Sequence, residues 1–262
     1  MGWNEYDINQ VKAKQNMLIG TKCTNKLGET ATIIGYANAF NITLKLDNGY
    51  IFTTYKTQLD KHNWQTPYSK VVCGIGYHGV GKYDIKKDKA VYIHWLNLFK
   101  RCYANVIDYS LNGRLRAYKD CYVCEEWHNF QNFAKWYYDN IWECDQILSI
   151  DKDILVKGNK IYSPTTCVFA TTQINNLFIK NKNARGKYPI GISKEDNRKS
   201  YRVKIKSKTV GSFPTIEEAF LKYKELKEQD IKNVADLYKS KYPQFPQRLY
   251  DAMYNYQVDI TD

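Results

Sequence analysis

No run of about 18 apolar residues occurs anywhere in the chain, which argues against a transmembrane helix. The opening residues, MGWNEYDINQVKAK, also lack the apolar segment of a secretory signal. Gly2 has no Ser or Thr at the sixth position, where Tyr6 stands, so a myristoylation site is not expected either. These absences point to a cytoplasmic protein with no membrane partner. Seven cysteines are an odd number in a chain of this length, and fit a reducing compartment better than a disulfide framework. Acidic residues are few, 27 against 39 Lys and Arg, and the net charge of +12 points to a polyanionic partner. Arginine is scarce beside lysine, 7 to 32, a bias that an AT-rich coding sequence would produce and that carries no mechanism. The 262 residues suggest two or three small domains, with enough apolar content, 44%, to build cores.

Charge is concentrated. Between Lys180 and Lys208 there are 11 Lys or Arg and two acids, Glu195 and Asp196, a local net of +9. Within this segment Tyr188–Ser193 and Thr209–Phe213 read as strands. Tyr201 to Lys206 alternates, with Tyr201, Val203 and Ile205 on one face and Arg202, Lys204 and Lys206 on the other. A helix comes next, with Thr215 as N-cap and Glu218 completing a capping box. A three-stranded sheet backed by a helix can present a ribbon of cations to the DNA major groove. The expected DNA-binding residues are Arg185, Lys187, Lys194, Arg198, Arg202, Lys204 and Lys206. The plainer reading is a solvated charged face.

The first segment, to about residue 70, reads as four short strands at 20–24, 30–36, 42–46 and 50–54. Asp47-Asn48-Gly49 is a hairpin signal, with the glycine supplying positive φ. Residues 71–88 are rich in glycine. Gly74-x-Gly76-x-x-Gly79 matches a dinucleotide fingerprint, but no helical pattern opens at the third glycine. Gly76-x4-Gly81-Lys82 approaches a P-loop, but Tyr83 occupies the place of the Mg²⁺-binding Ser or Thr. A flexible linker is therefore expected there.

Helices are expected at 89–103 and about 125–139. In the second, Trp127, Phe130, Phe133 and Trp136 recur every third residue and read as core rather than as a platform for bases. Cys121-x2-Cys124 with His128 could be half of a zinc site. No second half at matching spacing exists, so buried thiols are favoured over structural zinc.

The stretch from Leu148 to Asn176 carries the chemistry. It reads as strand, turn at Gly158-Asn159, strand, then helix. Asp151 and Asp153 at a strand end, facing a helix with Asn175 and Asn176, could hold one hard divalent cation through oxygen ligands. Alternatively, these side chains cap backbone groups in a turn.

Leu148 with Asp151-Lys152-Asp153, then Tyr162-Ser163-Pro164-Thr165-Thr166-Cys167, then Gln173-Ile174-Asn175-Asn176, resembles the catalytic half of phage HNH-type (His-Me finger) endonucleases. The order Trp95-x2-Leu98-x2-Arg101-Cys102-Tyr103, Tyr122-Val123-Cys124, Glu126-Trp127-x2-Phe130 is similar to the region upstream of that motif. Tyr201-Arg202-x2-Ile205 and Gly211-x-Phe213-x-Thr215-x-Glu217-Glu218-Ala219 resemble an AP2-type domain, and the N-terminal strands resemble an SH3-like module. The resemblance implies an α+β protein: an SH3-like β domain at 1–70, a Gly-rich linker at 71–88, an HNH-like core at 89–178, an AP2-like sheet and helix at 179–241, and a tail at 242–262. Removal of 179–262 is expected to leave a folded core. The implied activity is metal-dependent cleavage of double-stranded DNA of the homing type, with Mg²⁺ or another divalent cation on Asp151, Asp153, Asn175 and Asn176. The motif's general-base histidine is replaced by Lys152, which leaves Lys152 to contact a phosphate and either His94 or a water chain to supply the base. A rival reading is an inactive HNH fold that acts as a DNA-binding regulator, or as a phage inhibitor of a host defence system through a protein partner. A single-strand or RNA binder, suggested by 23 tyrosines, is a weaker third.

Overall fold

Period-two alternation of apolar side chains organises the first sheet. In the computed structural model, which describes residues 5–103, 118, 120–179, 187–195, 197, 199–206 and 208–262, a helix α1 (Glu5–Asn16) precedes strands β1 (Lys22–Thr24), β2 (Thr30–Asn38), β3 (Asn41–Leu46) and β4 (Ile51–Thr54). These form an antiparallel sheet in sequential order. Ile42, Leu44 and Leu46 of β3 pack with Ile33 and Trp64, while Lys45 is exposed. The β3–β4 turn is the Asp47–Gly49 hairpin, with Gly49 at φ +89° and Asn48 Oδ1 accepting from Tyr50 N–H at 3.0 Å. A short helix α2 (Lys56–Asp60) comes after β4. α1 was not expected, because its Asn-, Gln- and Lys-rich sequence has no apolar stripe to signal a helix.

The chain as a whole is a mixed α+β protein with several antiparallel sheets. It divides into two units: one runs to Lys100 and includes Trp127–Phe133, the other comprises Arg101–Glu126 and Ala134–Asp262. Among the described residues no helix is long and apolar enough to cross a membrane.

In the first unit the glycine-rich stretch is a packed element rather than the expected flexible linker. Val72 and Gly76 exchange backbone hydrogen bonds of 3.0 and 2.8 Å. Gly79 has φ +69°, and a Cβ there would lie 2.0 Å from Asn129 Oδ1. The Gln131 side chain accepts from Tyr83 N–H and donates to the carbonyls of His78 and Tyr83. The glycines are thus needed for close approach, not for freedom. Helix α3 (Lys89–Tyr103) begins in this unit, buries Trp95, Leu98 and Phe99, and is tied by Trp95 Nε1 donating to the Trp127 carbonyl at 2.7 Å. The helix expected at 125–139 is two elements, a 3-10 turn at Glu125–His128 and α4 (Phe130–Asn140). Asn129, whose Oδ1 accepts from Gln131 N–H, marks the break. All four aromatics of that stripe are buried, as expected of core.

The second unit holds two small pairs of strands. β5 (Tyr122–Val123) runs parallel to β7 (Ile161–Tyr162), and β6 (Leu148–Asp151) pairs antiparallel with β8 (Val168–Thr171). The partner of the Asp151 strand is therefore β8, not the nearer 161–162 piece. β8 is buried at every position and can cover β6. Helix α5 (Thr172–Leu177) leaves β8 at once, capped by Thr171 Oγ1 accepting from Ile174 N–H.

β9 (Ile192–Ser193), β10 (Tyr201–Ile205) and β11 (Lys208–Phe213) form an antiparallel sheet in the order β11-β10-β9. Its inner face, Ile192 and Val203, packs on Ala219, Phe220 and Tyr223 of helix α6 (Ile216–Lys241). Thr215 Oγ1 caps α6 by accepting from Glu218 N–H at 3.2 Å. The helix runs beyond this sheet to the β6–β8 pair, where the Tyr238 hydroxyl bonds Thr171 Oγ1 and donates to Gln173 Oε1. Tyr238, Tyr242 and Phe245 surround Trp142. Helix α7 (Gln247–Tyr254) buries Leu249 and Met253. Arg248 on α7 donates to the carbonyls of Pro164, Thr165 and Cys167. The expected boundary at 178, with a separate core on its N-terminal side, does not describe this packing, because α6 serves both sides of it.

Candidate functional site

Asp151 is the last residue of β6, and Ser149 shares its face by the two-residue repeat. The Asp151 Oδ1 accepts from the N–H groups of Asp153 and Ile154, both at 2.8 Å, and so turns the chain out of the strand. That is the capping role weighed from the sequence, and it occupies one of the two carboxylate oxygens. Burial, and then the charge of Asp153, raises the Asp151 pKa to about 6. From α5, Asn175 donates to Ser149 Oγ at 2.9 Å. Its carbonyl oxygen is buried with no hydrogen-bond partner among the described residues. Asp151, Asp153 and Asn175 line one cleft of about 430 Å³. Buried acceptors without donors are costly, and three oxygen-bearing groups around one cavity suit a hard cation.

Lys152 and Asn176 are not among the residues that line this cleft. Lys152 follows the end of the strand and is buried, 7% exposed. Its Nζ donates to the Asn159 carbonyl at 3.0 Å, lies 3.2 Å from Asp153 Oδ2, and sits over the Tyr162 ring. It secures the 152–159 loop, which Asn159 closes by donating to the Lys152 and Ile161 carbonyls, so the expected phosphate contact is corrected. Asn176 lines a different groove from Asn175. Successive residues on a helix project about 100° apart, so the pair does not converge on one ion. His94 lies on α3 in the first unit, and no histidine is among the described residues that line the cleft.

No local pattern placed Tyr118, Lys157 and Tyr256 on the cleft walls, where the structure has them. Lys157 pairs with Asp262 at 2.8 Å, donates to the Gln257 carbonyl, and lies over the Tyr256 ring. Burial first, then the Asp262 carboxylate, raises the Tyr256 phenol above its ordinary pKa. The tail therefore forms one side of the cleft.

The basic sheet is more internally paired than expected. Arg202 and Lys204 share the outer face of β10, but Arg202 forms an ion pair with Glu195 at 2.6 Å. Lys206 comes after the strand in a left-handed conformation, φ +48°, and turns back to Asp230 on α6 at 2.6 Å. It is thus not part of a three-cation row. Lys194 lies over the Tyr201 ring at 4.7 Å, and Lys187 and Lys204 are exposed. Arg185 and Arg198 lie outside the described residues. Cys121, Cys124 and Cys167 are free thiols, and among the described residues no three His, Cys, Asp or Glu side chains gather as a metal site.

Comparison of the chain with protein-family models, curated proteins and solved structures finds no match.

Proposed function

We propose that this protein is a metal-dependent DNA endonuclease of the phage homing (HNH, His-Me finger) type. In this reading the four-stranded sheet is an SH3-like module, and β9–β11 with α6 form an AP2-like arm that binds double-stranded DNA. The observation that carries it is the cleft where an antiparallel strand pair leads directly into a helix, with Asp151, Asp153 and the unpartnered Asn175 carbonyl oxygen around one cavity. The donor set fits Mg²⁺ or a similar cation. Such a cation, when bound, stabilises charge on the phosphate under attack. The chain's own residues hold that site in shape. The two backbone N–H groups fix Asp151, Ser149 fixes the Asn175 amide, and Lys152 keeps the 152–159 loop closed around Asp153. Arg202, Lys204 and Lys187 supply the sequence-independent attraction to the DNA backbone.

A second reading has its own support. Lys152, at the place of the motif's histidine, is buried away from the cleft, and no histidine is among the described residues lining it. An inactive fold of the same kind would bind DNA as a regulator, or a host-defence protein as an inhibitor. Supercoiled-plasmid cleavage in Mg²⁺ or Mn²⁺ separates the two. Nicking by the wild type that is lost in Asp151→Ala and Asn175→Ala supports the nuclease. An intact plasmid in every condition, with DNA binding retained, would replace it with the inactive fold.

A further inference from the structure

The groove on the other side of α5 is not used by the proposed chemistry. It encloses about 460 Å³, a volume suited to a small organic ligand. Lys206, Lys227 and Asp230 line it, with the backbone of β10 at Lys204 and Ile205 alongside. Lys206 is committed to Asp230 Oδ1. The other Asp230 oxygen is buried and has no hydrogen-bond partner among the described residues. Lys227 is half-buried, and forms no hydrogen bond or ion pair among the described residues. Burial lowers its pKa, with Asp230 opposing and Lys206 adding to the effect. Gln173, whose amide oxygen accepts from the Tyr238 hydroxyl, keeps its NH₂ as a donor on the same wall.

The groove thus offers two unmet needs at once. Lys227, with the Gln173 amide, calls for an anion. The orphaned Asp230 oxygen calls for an N–H or O–H donor. Inorganic phosphate meets the first need, whereas a nucleotide meets both, with its phosphate on Lys227 and a base amino or sugar hydroxyl group on Asp230. We propose that this groove binds one nucleotide unit of a DNA strand that crosses α5 from the carboxylate cleft. Asn175 lines the cleft and Gln173 lines the groove on the same short helix. A helix is about 10 Å wide, a distance that about three nucleotides of one strand span at roughly 3.4 Å each.

The ligand class rests on the DNA-binding reading, but the test does not depend on cleavage. The full chain is titrated with a labelled duplex and a labelled single strand across a salt series, without divalent cation. Lys227→Gln is expected to weaken binding about tenfold and to reduce the salt slope by about 0.9, the loss of one phosphate contact. Gln173→Glu, which keeps an oxygen for the Tyr238 hydroxyl and loses the NH₂ donor, serves as a second variant, and each variant is checked for an unchanged melting temperature. Thymidine and deoxycytidine monophosphates should bind the wild type more tightly than inorganic phosphate, and Asp230→Asn should narrow that difference. Equal affinity and slope for the wild type, Lys227→Gln and Gln173→Glu would overturn the groove while leaving the DNA-binding reading intact. A wild type that binds neither nucleic acid would overturn both. Phosphate binding as tight as the nucleotides' would reduce the groove to a simple anion site and overturn the nucleotide assignment.

Discussion

Replacement of Asp151 by Asn tests whether this carboxylate is held at a cost to the fold. The side chain ionises at about 6 in the folded chain, against an ordinary value of 3.8, because it is buried and close to the Asp153 charge. The folded state therefore holds the proton more tightly than the unfolded chain does. The stability this contributes is complete below about pH 4 and is lost as pH rises through about 6. At pH 8 the ionised carboxylate costs up to about 3 kcal/mol. Asn keeps an oxygen for the N–H groups of Asp153 and Ile154 and carries no charge. In buffer with EDTA at pH 8, Asp151→Asn should be more stable than the wild type by roughly 1–3 kcal/mol, or about 2–4 °C in melting temperature per kcal/mol. The advantage should vanish at pH 4, where the wild-type side chain is protonated. Added Mn²⁺ should stabilise the wild type at pH 8 and leave the variant nearly unchanged, because a ligand stabilises only the state it binds. Calorimetry at the two pH values provides the measurement. A variant less stable than the wild type at both would mean that the carboxylate's charge supports the turn, and would refute the reasoning.

The packing sets three further outcomes. Arg248→Ala removes three hydrogen bonds to the 164–167 carbonyls and should cost about 1–3 kcal/mol, read as a lower urea midpoint. Gly79→Ala places a Cβ 2.0 Å from Asn129 Oδ1 at a positive φ and should cost about 1–3 kcal/mol by the same assay, whereas a neutral result would return this stretch to the flexible-linker reading. Truncation after Phe178 removes the buried Tyr238, Tyr242, Phe245, Leu249 and Met253. At about 1.5–3 kcal/mol each, that loss rivals the roughly 5–15 kcal/mol that holds a domain together, so the fragment should be insoluble, and a soluble, cooperatively melting fragment would contradict the shared core.

Local elements were readable where one period dominated. Ile42, Leu44 and Leu46 marked one face of β3, and Asp47–Gly49 marked its turn. Trp95 and Leu98 placed α3, and Thr215 placed the start of α6. The reading failed where a signal had two physical origins. Glycines at 74–81 match a loose linker and a tight backbone approach equally well, and only Asn129 and Gln131, about 50 residues later, distinguish them. Alternation placed Lys206 beside Arg202 and Lys204, but the strand ends one residue earlier and the chain turns back toward Asp230.

The sequence by itself marked the strands of the first sheet, the strands β10 and β11, helices α3 and α6, the core aromatics and the concentration of charge, because each depends on neighbours within a few residues. It also brought Asp151, Asp153 and Asn175 forward as a group. Tertiary structure alone decided that β6 pairs with β8, which carries Asn175 to the cleft and sends Asn176 to the opposite groove. It also decided that Lys152 closes a loop, and that Lys157, Tyr256 and Asp262 wall the cleft. Those outcomes depend on contacts between residues as far as 105 positions apart. Burial and the pairing of charges set them, and neither can be read from a local pattern.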